Sequence, residues 1–215
     1  MDYSEIRNRV FTATMHLAQA GLIRLSAGNI SARIDAQLAA ITPASRGYDI
    51  LAPEDICIIS LDGRLVQGEF KPSSETPLHT ALYRNLPQVG AVVHTHSIFA
   101  MTFSASHKPI PILGVEAMAA CSCSDEIPVA EYVSPGSSQA GKVALECFHA
   151  HPGLQALLLR NHGLLAIGPD VETAWQTAYK VEIAAQVAFQ AFQLGDVVKL
   201  TSAQIDEINR IYSMK

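Results

Sequence analysis

An apolar run that ends in two histidines is the feature of this sequence that most constrains its fold. The run from Val89 to Val93 carries no charged or hydrogen-bonding side chain and is followed directly by His94-Thr95-His96. An apolar run of this length is typical of a buried strand. Because residues two apart on a strand point to the same face, both imidazoles are expected to project together at the strand's end.

Helical and strand-like segments alternate along the rest of the chain. Apolar residues recur at helical spacing between Val171 and Phe192, which predicts the longest helix. Short apolar runs predict strands, among them Ile127 to Tyr132, and Asp62-Gly63 between two such runs predicts a hairpin. With no internal repeat or linker evident, the sequence predicts a single domain over residues 1–215, of class α/β or α+β with a mixed, mainly antiparallel sheet.

Composition narrows the classes of partner. The 215-residue chain has a net charge of -5, and this mild acidity argues against a nucleic-acid partner, which needs a basic stripe. Charged residues make up 16% of the chain, against about 25% in an average soluble protein. A chain this apolar is expected to bury part of its surface in contacts between subunits, because large apolar patches rarely stay exposed on monomers.

Targeting signals and cysteine spacing bear on the compartment. The N-terminal segment lacks the apolar core of a signal peptide, and the longest uncharged stretch, residues 85–107, is too polar for a membrane span. The four cysteines lack the spacing of a disulfide framework or a zinc pair, which favours free thiols in a reducing compartment. A cytoplasmic protein with no membrane partner is therefore expected.

A third histidine stands out beside the first two. His162 lies in Arg160-Asn161-His162-Gly163, between two apolar runs that predict strands, where it could be brought to the other pair. Three imidazoles with an open position form a catalytic zinc arrangement. The alternative is a set of core or surface histidines, because His-x-His is by itself a weak signal.

A carboxylate and two hydroxyls precede a predicted helix in Ser73-Ser74-Glu75-Thr76. The amides of a first helical turn favour an anion, and the serines can add donors. Glu75 would lie beside the bound anion and could act as a base. The alternative is an ordinary helix N-cap. In the same way, Ser26-Ala27-Gly28-Asn29 predicts either a phosphate-cradling turn or a simple turn.

Taken together, these residues resemble the class II aldolase/adducin family, typified by bacterial fuculose-phosphate aldolase. The resemblance covers about residues 4–212 and rests on five motifs that occur in the family's order with family-like gaps. Each motif is weak alone, but the ordered set is highly specific. The motifs are Ser26-Ala27-Gly28-Asn29-Ile30-Ser31, Ile41-Thr42-Pro43, Pro72-Ser73-Ser74-Glu75, Val92-Val93-His94-Thr95-His96 and Asn161-His162-Gly163-Leu164.

The resemblance implies a fold, a metal and a reaction. The fold is a three-layer α/β/α domain around a mostly antiparallel sheet, assembled as a homotetramer with active sites near the subunit interfaces. One Zn²⁺ or other divalent ion per subunit would be held by His94, His96 and His162, with Glu75 as general acid/base. The implied reaction cleaves a ketose 1-phosphate to dihydroxyacetone phosphate and an aldehyde, with the metal as Lewis acid for an enediolate.

The resemblance also implies where the substrate phosphate binds, with help from the loop after Pro43. In this loop the family aldolase has a Thr-Gly pair, whereas this chain has Ala44-Ser45, and Ser45 is a candidate to replace the lost hydroxyl. The remaining phosphate-binding residues implied by the resemblance are Gly28, Asn29, Ser73 and Ser74.

Two positions bear on which reaction the chain catalyses. The aldolase tyrosine that reaches a neighbouring active site falls near Val115-Glu116, where this chain has no tyrosine. Related sugar-phosphate epimerases and methylthioribulose-phosphate dehydratases carry an acidic residue in about this place, so Glu116 keeps those two reactions open, and a decarboxylase on the same metal scaffold is a further alternative. Its alternative role is a helix-start carboxylate.

The other position is Tyr212, three residues from the end of the chain. Family aldolases close the active site with a tail tyrosine, so Tyr212 is either a mobile lid acid or a solvated surface residue. A different class also remains open, since the adducin head uses this fold as a non-catalytic interaction module. The intact set of three histidines with Glu75 argues against that module.

Overall fold

Short apolar runs form the strands of this protein, and longer periodic segments form its helices. The computed structural model describes residues 2–118, 120 and 126–213, with residues 212 and 213 described by their backbone alone. The helices are α1 (Ser4–Gln19), α2 (Thr76–Asn85), α3 (Ile98–Ser106), α4 (Val115–Met118), α5 (Gln139–Ala150), α6 (Val171–Leu194) and α7 (Ser202–Ser213). The strands are β1 (Asn29–Arg33), β2 (Leu38–Ile41), β3 (Cys57–Ser60), β4 (Leu65–Gln67), β5 (Ala91–Thr95), β6 (Ile110–Pro111), β7 (Glu126–Ile127), β8 (Val129–Ala130), β9 (Ala156–Leu159) and β10 (Gly163–Gly168).

The central sheet has eight strands in the order β4-β3-β2-β1-β5-β10-β9-β8. Its neighbouring strands are antiparallel except β8 and β9, which run parallel. Helix α6 packs along β5 and β10 together with α1 and α3, while α2 packs against α5. The predicted fold class, helices flanking a mixed and mostly antiparallel sheet, is therefore confirmed.

Strands β5 and β10 form the buried middle of this sheet. Every residue of both strands is buried, as expected for strands whose two faces are covered. The strand predicted at Val89 begins two residues later than the apolar run, at Ala91, and ends at Thr95. His94 thus lies inside the buried strand, and His96 follows directly after its last residue.

The strand predicted over Ile127 to Tyr132 is wrong. This segment forms the end of β7 and the whole of β8, and Pro128 separates the two. Proline has no backbone N–H to donate to a ladder, and at Pro128 the chain passes from β7 in the two-stranded sheet to β8 in the eight-stranded sheet. The predicted hairpin at Asp62-Gly63 is present, because β3 and β4 pair across this turn and Gly63 has a φ of 86°.

Two smaller predictions concern the cysteines and the membrane. Cys57 and Cys147 are free thiols, whereas Cys121 and Cys123 lie outside the described residues. Within the described ranges, no helix has both the length and the apolar character needed to cross a membrane.

Candidate active site

The sheet brings the three predicted histidines together. His94 lies on β5 directly opposite Leu165 of β10, so the turn that begins β10 carries His162 to the end of β5. One ligand nitrogen from each ring lies within 4.8 Å of the other two. The Nε2 atoms of His94 and His96 are 2.9 Å apart. The three imidazoles, which come from two distant parts of the chain, therefore converge on one site.

The protonation of these rings fits a metal site. Burial lowers the pKa of His94 to about 3, and burial also lowers the pKa values of His96 and His162, so the rings are neutral. His94 Nδ1 lies 2.9 Å from the carbonyl oxygen of Leu164, which places the one ring proton on Nδ1. Its Nε2 lone pair then faces the other two rings. Neutral imidazoles with converging lone pairs are the ligands that Zn²⁺ and similar ions prefer.

The turn that presents His162 is held by helix α3. The buried Ser104 hydroxyl donates to the Leu159 carbonyl at 2.6 Å and accepts from the His162 backbone N–H at 3.2 Å. Asn161 adopts a φ of 55°, in the left-handed region that a tight turn requires. A Cβ on Gly163 would meet the backbone oxygen of Thr95, so only glycine lets β10 start this close to β5.

Glu75 lies beside the histidines at the start of helix α2, and only 5% of it is exposed. Its Oε2 accepts a hydrogen bond from Asn29 Nδ2 at 2.9 Å and lies 3.1 Å from His94 Nε2. Its Oε1 lies 3.4 Å from His162 Nε2 but, within the described part of the chain, has no hydrogen-bond partner. A buried carboxylate oxygen without a partner is rare and marks a position where a water, a proton or a cation would bind.

Two opposing effects set the ionisation of Glu75. Burial raises the pKa of its carboxyl, while the neighbouring imidazoles and the Asn29 amide lower it. The net pKa lies below the usual value for glutamate, so the group is a carboxylate at neutral pH. The three nitrogen lone pairs would bind a divalent cation, and its charge would balance the negative charge of the nearby Glu75 carboxylate.

A cleft of about 400 Å³ opens from this cluster to the surface. All the residues predicted to bind phosphate line it, and so do Glu75, His96 and His162. Lys71 also lines the cleft, is exposed, and forms no ion pair with a described residue. Sequence reasoning missed Lys71, although a cation directly before Pro72-Ser73-Ser74 is a signal that could have identified it.

Two turns shape the rim of the cleft. Gly28 has a φ of 89°, and its carbonyl accepts from the buried Tyr48 hydroxyl at 2.7 Å. Ser45 has a φ of 57°, in the left-handed region that glycine favours. The Ser73 hydroxyl oxygen accepts from the backbone N–H of Glu75 at 3.2 Å, which leaves its own proton available to an anion.

Three predicted site residues are placed differently from the rest. Asn29 uses both ends of its side chain within the protein, because its Oδ1 lies 2.5 Å from His79 Nε2 while its Nδ2 donates to Glu75. Glu116 is exposed in the first turn of α4 and is not among the residues that line the cleft. Tyr212 lies in α7, and its side chain lies outside the part of the chain that the structure describes.

Comparison with known proteins identifies the class that this fold and site define. The sequence profile of the Class II Aldolase and Adducin N-terminal domain matches residues 8–189, and the chain belongs to this family. Its relatives are enzymes of the class II aldolase and epimerase superfamily.

Individual relatives cover nearly the whole chain. The chain is 30% identical over 203 residues to a 5-deoxy-D-ribulose 1-phosphate aldolase from Bacillus thuringiensis serovar kurstaki, covering 94% of this chain and 92% of the relative. It is 31% identical over 195 residues to the L-ribulose-5-phosphate 4-epimerase UlaF from Salmonella paratyphi B, covering 87% and 85%. A solved L-fuculose 1-phosphate aldolase superposes with a TM-score of 0.90 at 26% identity, covering 99% of this chain and 98% of that one.

Proposed function

We propose that this protein is a divalent-metal aldolase that cleaves a small ketose 1-phosphate to dihydroxyacetone phosphate and an aldehyde. The observation that carries the proposal is one site that combines three converging imidazoles, a carboxylate oxygen that no described residue hydrogen-bonds, and a cleft rim of hydroxyls with a cation. The Bacillus relative and the solved fuculose 1-phosphate aldolase are both named as aldolases of a ketose 1-phosphate, which supports the same substrate class here.

Each group in the cleft has a role in this proposal. His94, His96 and His162 would hold the ion, with Zn²⁺ the simplest choice for three imidazoles. The ion, when bound, supplies Lewis-acid polarisation of the substrate carbonyl. Glu75 then moves the proton at the hydroxyl-bearing carbon, delivering it after the carbon–carbon bond breaks and taking it in the reverse direction.

The rim would bind the substrate phosphate. The hydroxyls of Ser45, Ser73 and Ser74 and the backbone of the Gly28 turn line the same side of the cleft. The Lys71 ammonium would add the charge complement that neutral donors lack. In this arrangement Asn29 contributes to the phosphate site only through the second hydrogen of its Nδ2, because its other polar atoms are engaged.

An epimerase is the second candidate, and the name of the Salmonella relative favours it. A dehydratase or a decarboxylase on the same scaffold follows as a further alternative. In the epimerase and the dehydratase, Glu116 is the proposed second acid, and its exposure leaves it free to act on a substrate bound in a neighbouring subunit. An assay of purified protein with ketose 1-phosphates and with ribulose 5-phosphate distinguishes the aldolase from these alternatives. Only an aldolase releases dihydroxyacetone phosphate. An aldolase activity unaffected by Glu116→Ala would leave Glu116 as a helix-start residue.

Metal analysis tests the ligand set. We expect about one divalent ion per chain, as a three-histidine site implies. His94→Ala or His162→Ala should abolish both metal binding and turnover, whereas the exposed His149→Ala serves as a control and should change neither. Full activity in a metal-free preparation would contradict the proposal.

A charge-removing substitution tests Glu75 separately. Glu75→Gln should keep the metal and bind substrate, yet lose turnover by about a hundredfold, as is typical when a general acid/base is removed. Glu146→Gln, on the exposed side of α5, is the matched control. Normal turnover in Glu75→Gln would reduce Glu75 to a helix-start residue.

The proposed assembly is a homotetramer with sites near subunit interfaces, and the tail would act there. Large apolar side chains such as Val187 and Phe192 are half exposed on α6, as expected for a surface that is covered by another subunit. The proposed role of Tyr212 is to take the proton from the substrate hydroxyl that becomes the aldehyde oxygen and to return it in the reverse direction. Deleting residues 209–215 should then lower turnover while sedimentation and metal content stay unchanged. Unchanged kinetics would exclude this role.

A further inference from the structure

Helix α2 and strand β1 face each other through a line of buried polar side chains. Glu75, His79 and Tyr83 are spaced four residues apart and lie on one face of the helix. Asn29 and Ser31, two residues apart, lie on one face of the strand. None of the five is more than 5% exposed. Polar groups this deep require hydrogen-bond partners, and here they supply them to one another.

Four short hydrogen bonds connect these side chains in sequence. The Tyr83 hydroxyl lies 2.7 Å from Ser31 Oγ, and Ser31 Oγ lies 2.6 Å from His79 Nδ1. His79 Nε2 lies 2.5 Å from Asn29 Oδ1, and Asn29 Nδ2 lies 2.9 Å from Glu75 Oε2. We call this series, from Tyr83 to Glu75, the polar chain.

The direction of every bond in the polar chain follows from its last member. A carboxylate only accepts, so Asn29 must present its Nδ2 to Glu75 and its Oδ1 to His79. His79 must therefore carry its proton on Nε2. Burial lowers the pKa of His79 to about 4, so the ring is neutral and its Nδ1 is an acceptor.

The remaining two bonds are then fixed as well. Ser31 must donate its hydroxyl proton to the Nδ1 acceptor of His79. The Ser31 oxygen is left to accept, and Tyr83 donates to it. All four bonds point toward Glu75, and bonds aligned in one direction polarise and strengthen one another.

We propose that Tyr83, Ser31 and His79 are positioning residues that fix the Glu75 carboxylate through the Asn29 amide. The polar chain ties Oε2 to Asn29 and leaves Oε1, the oxygen without a partner, as the atom that moves the proton. Without a donor at Nε2 of His79, the Asn29 amide is free to rotate and the carboxylate loses its fixed orientation. This inference rests on the proposed role of Glu75 as general acid/base.

A matched pair of substitutions at His79 tests the donor itself. Glutamine places its amide nitrogen about where imidazole Nε2 lies and keeps a donor for Asn29, whereas methionine has the same length and no donor. We expect His79→Met to lower kcat by about 10- to 100-fold, typical for loss of a supporting residue, with metal content unchanged. His79→Gln should retain most of the turnover. Equal losses in the two variants, or normal turnover in His79→Met, would overturn the proposal.

The far end of the polar chain offers a gentler change. The Arg33 guanidinium lies 4.9 Å from the centroid of the Tyr83 ring and donates to the Tyr83 carbonyl at 2.6 Å, so the ring stays anchored without its hydroxyl. Tyr83→Phe should therefore fold normally and lower kcat by a smaller factor than His79→Met. This variant decides the matter if His79→Met does not fold, and a kcat equal to that of the unmodified protein would overturn the proposal.

A measurement independent of turnover separates this inference from the proposed function. Nitrogen-15 NMR of histidine-labelled protein, assigned by comparison with His79→Gln, should show His79 in the neutral form protonated at Nε2. The form protonated at Nδ1 would overturn the polar chain whatever reaction the protein catalyses. If Glu75→Gln turns over normally while His79 has the expected form, the proposed role of Glu75 fails and the hydrogen-bond direction stands.

Discussion

Substituting Gly28 by alanine should destabilise the protein through two separable effects. Gly28 has a φ of 89°, and a side chain in the left-handed region costs about 1–2 kcal/mol. A Cβ there would also lie 2.7 Å from Ile23 Cγ2 and 2.8 Å from the carbonyl oxygen of His94, closer than atoms pack. Such overpacking costs about 1–3 kcal/mol, so the total loss should be about 2–5 kcal/mol.

Gly63 is the matched control for this substitution. Its φ of 86° is nearly the same, but the nearest atom to an added Cβ, Thr76 Cγ2, is 3.6 Å away, an ordinary contact. Gly63→Ala should therefore cost only the backbone term of about 1–2 kcal/mol. Changes in the unfolded chain are common to both variants and cancel in the difference, which should be about 1–3 kcal/mol.

Urea unfolding of the metal-free protein, followed by far-ultraviolet circular dichroism at one protein concentration, measures the two losses. Gly28→Ala should also bind metal more weakly, because the new methyl group presses on the backbone of His94. Equal losses of unfolding free energy in the two variants would refute the reasoning, since the clash at Gly28 would then contribute nothing.

Three further predictions concern the Ser104 hydroxyl, the Lys71 side chain and the bound metal. Ser104→Ala should lower the free energy of unfolding by about 1–3 kcal/mol, because it removes the two hydrogen bonds that the hydroxyl makes with the Leu159 carbonyl and the His162 N–H and leaves those groups bonded only to each other. It should also weaken zinc binding in a competition with a coloured chelator, whereas Ser106→Ala, at an exposed position, should change neither quantity. Lys71→Met should raise KM for a phosphorylated substrate by about fivefold or less with kcat unchanged, because an exposed charge contributes little binding energy to its partner. An unchanged KM would show that Lys71 does not bind the phosphate. Removing the metal with a chelator should lower the free energy of unfolding by about 4 kcal/mol, compared with protein in a free metal concentration about one thousand times the Kd. Identical urea unfolding curves with and without metal would contradict a metal site.

The sequence was sufficient for features whose cause is local. The hairpin at Asp62-Gly63 follows from the backbone freedom of adjacent residues, and the common direction of His94 and His96 follows from the two-residue repeat of an extended chain. The break at Pro128 also has a local cause, the missing N–H of a proline, although the apolar pattern on either side predicts a strand across it.

The tertiary structure alone decided which of these elements meet. His162 joins the other histidines because β10 pairs with β5, and Asn29 reaches Glu75 because β1 packs under α2. Nothing in the sequence near Glu75 indicates that it accepts from Asn29, or that His79 supports that amide. Local residue patterns determine the conformation of each segment and the face that it buries. The partner of each face is determined by the burial of apolar surface over the whole chain, which residues far apart in sequence share.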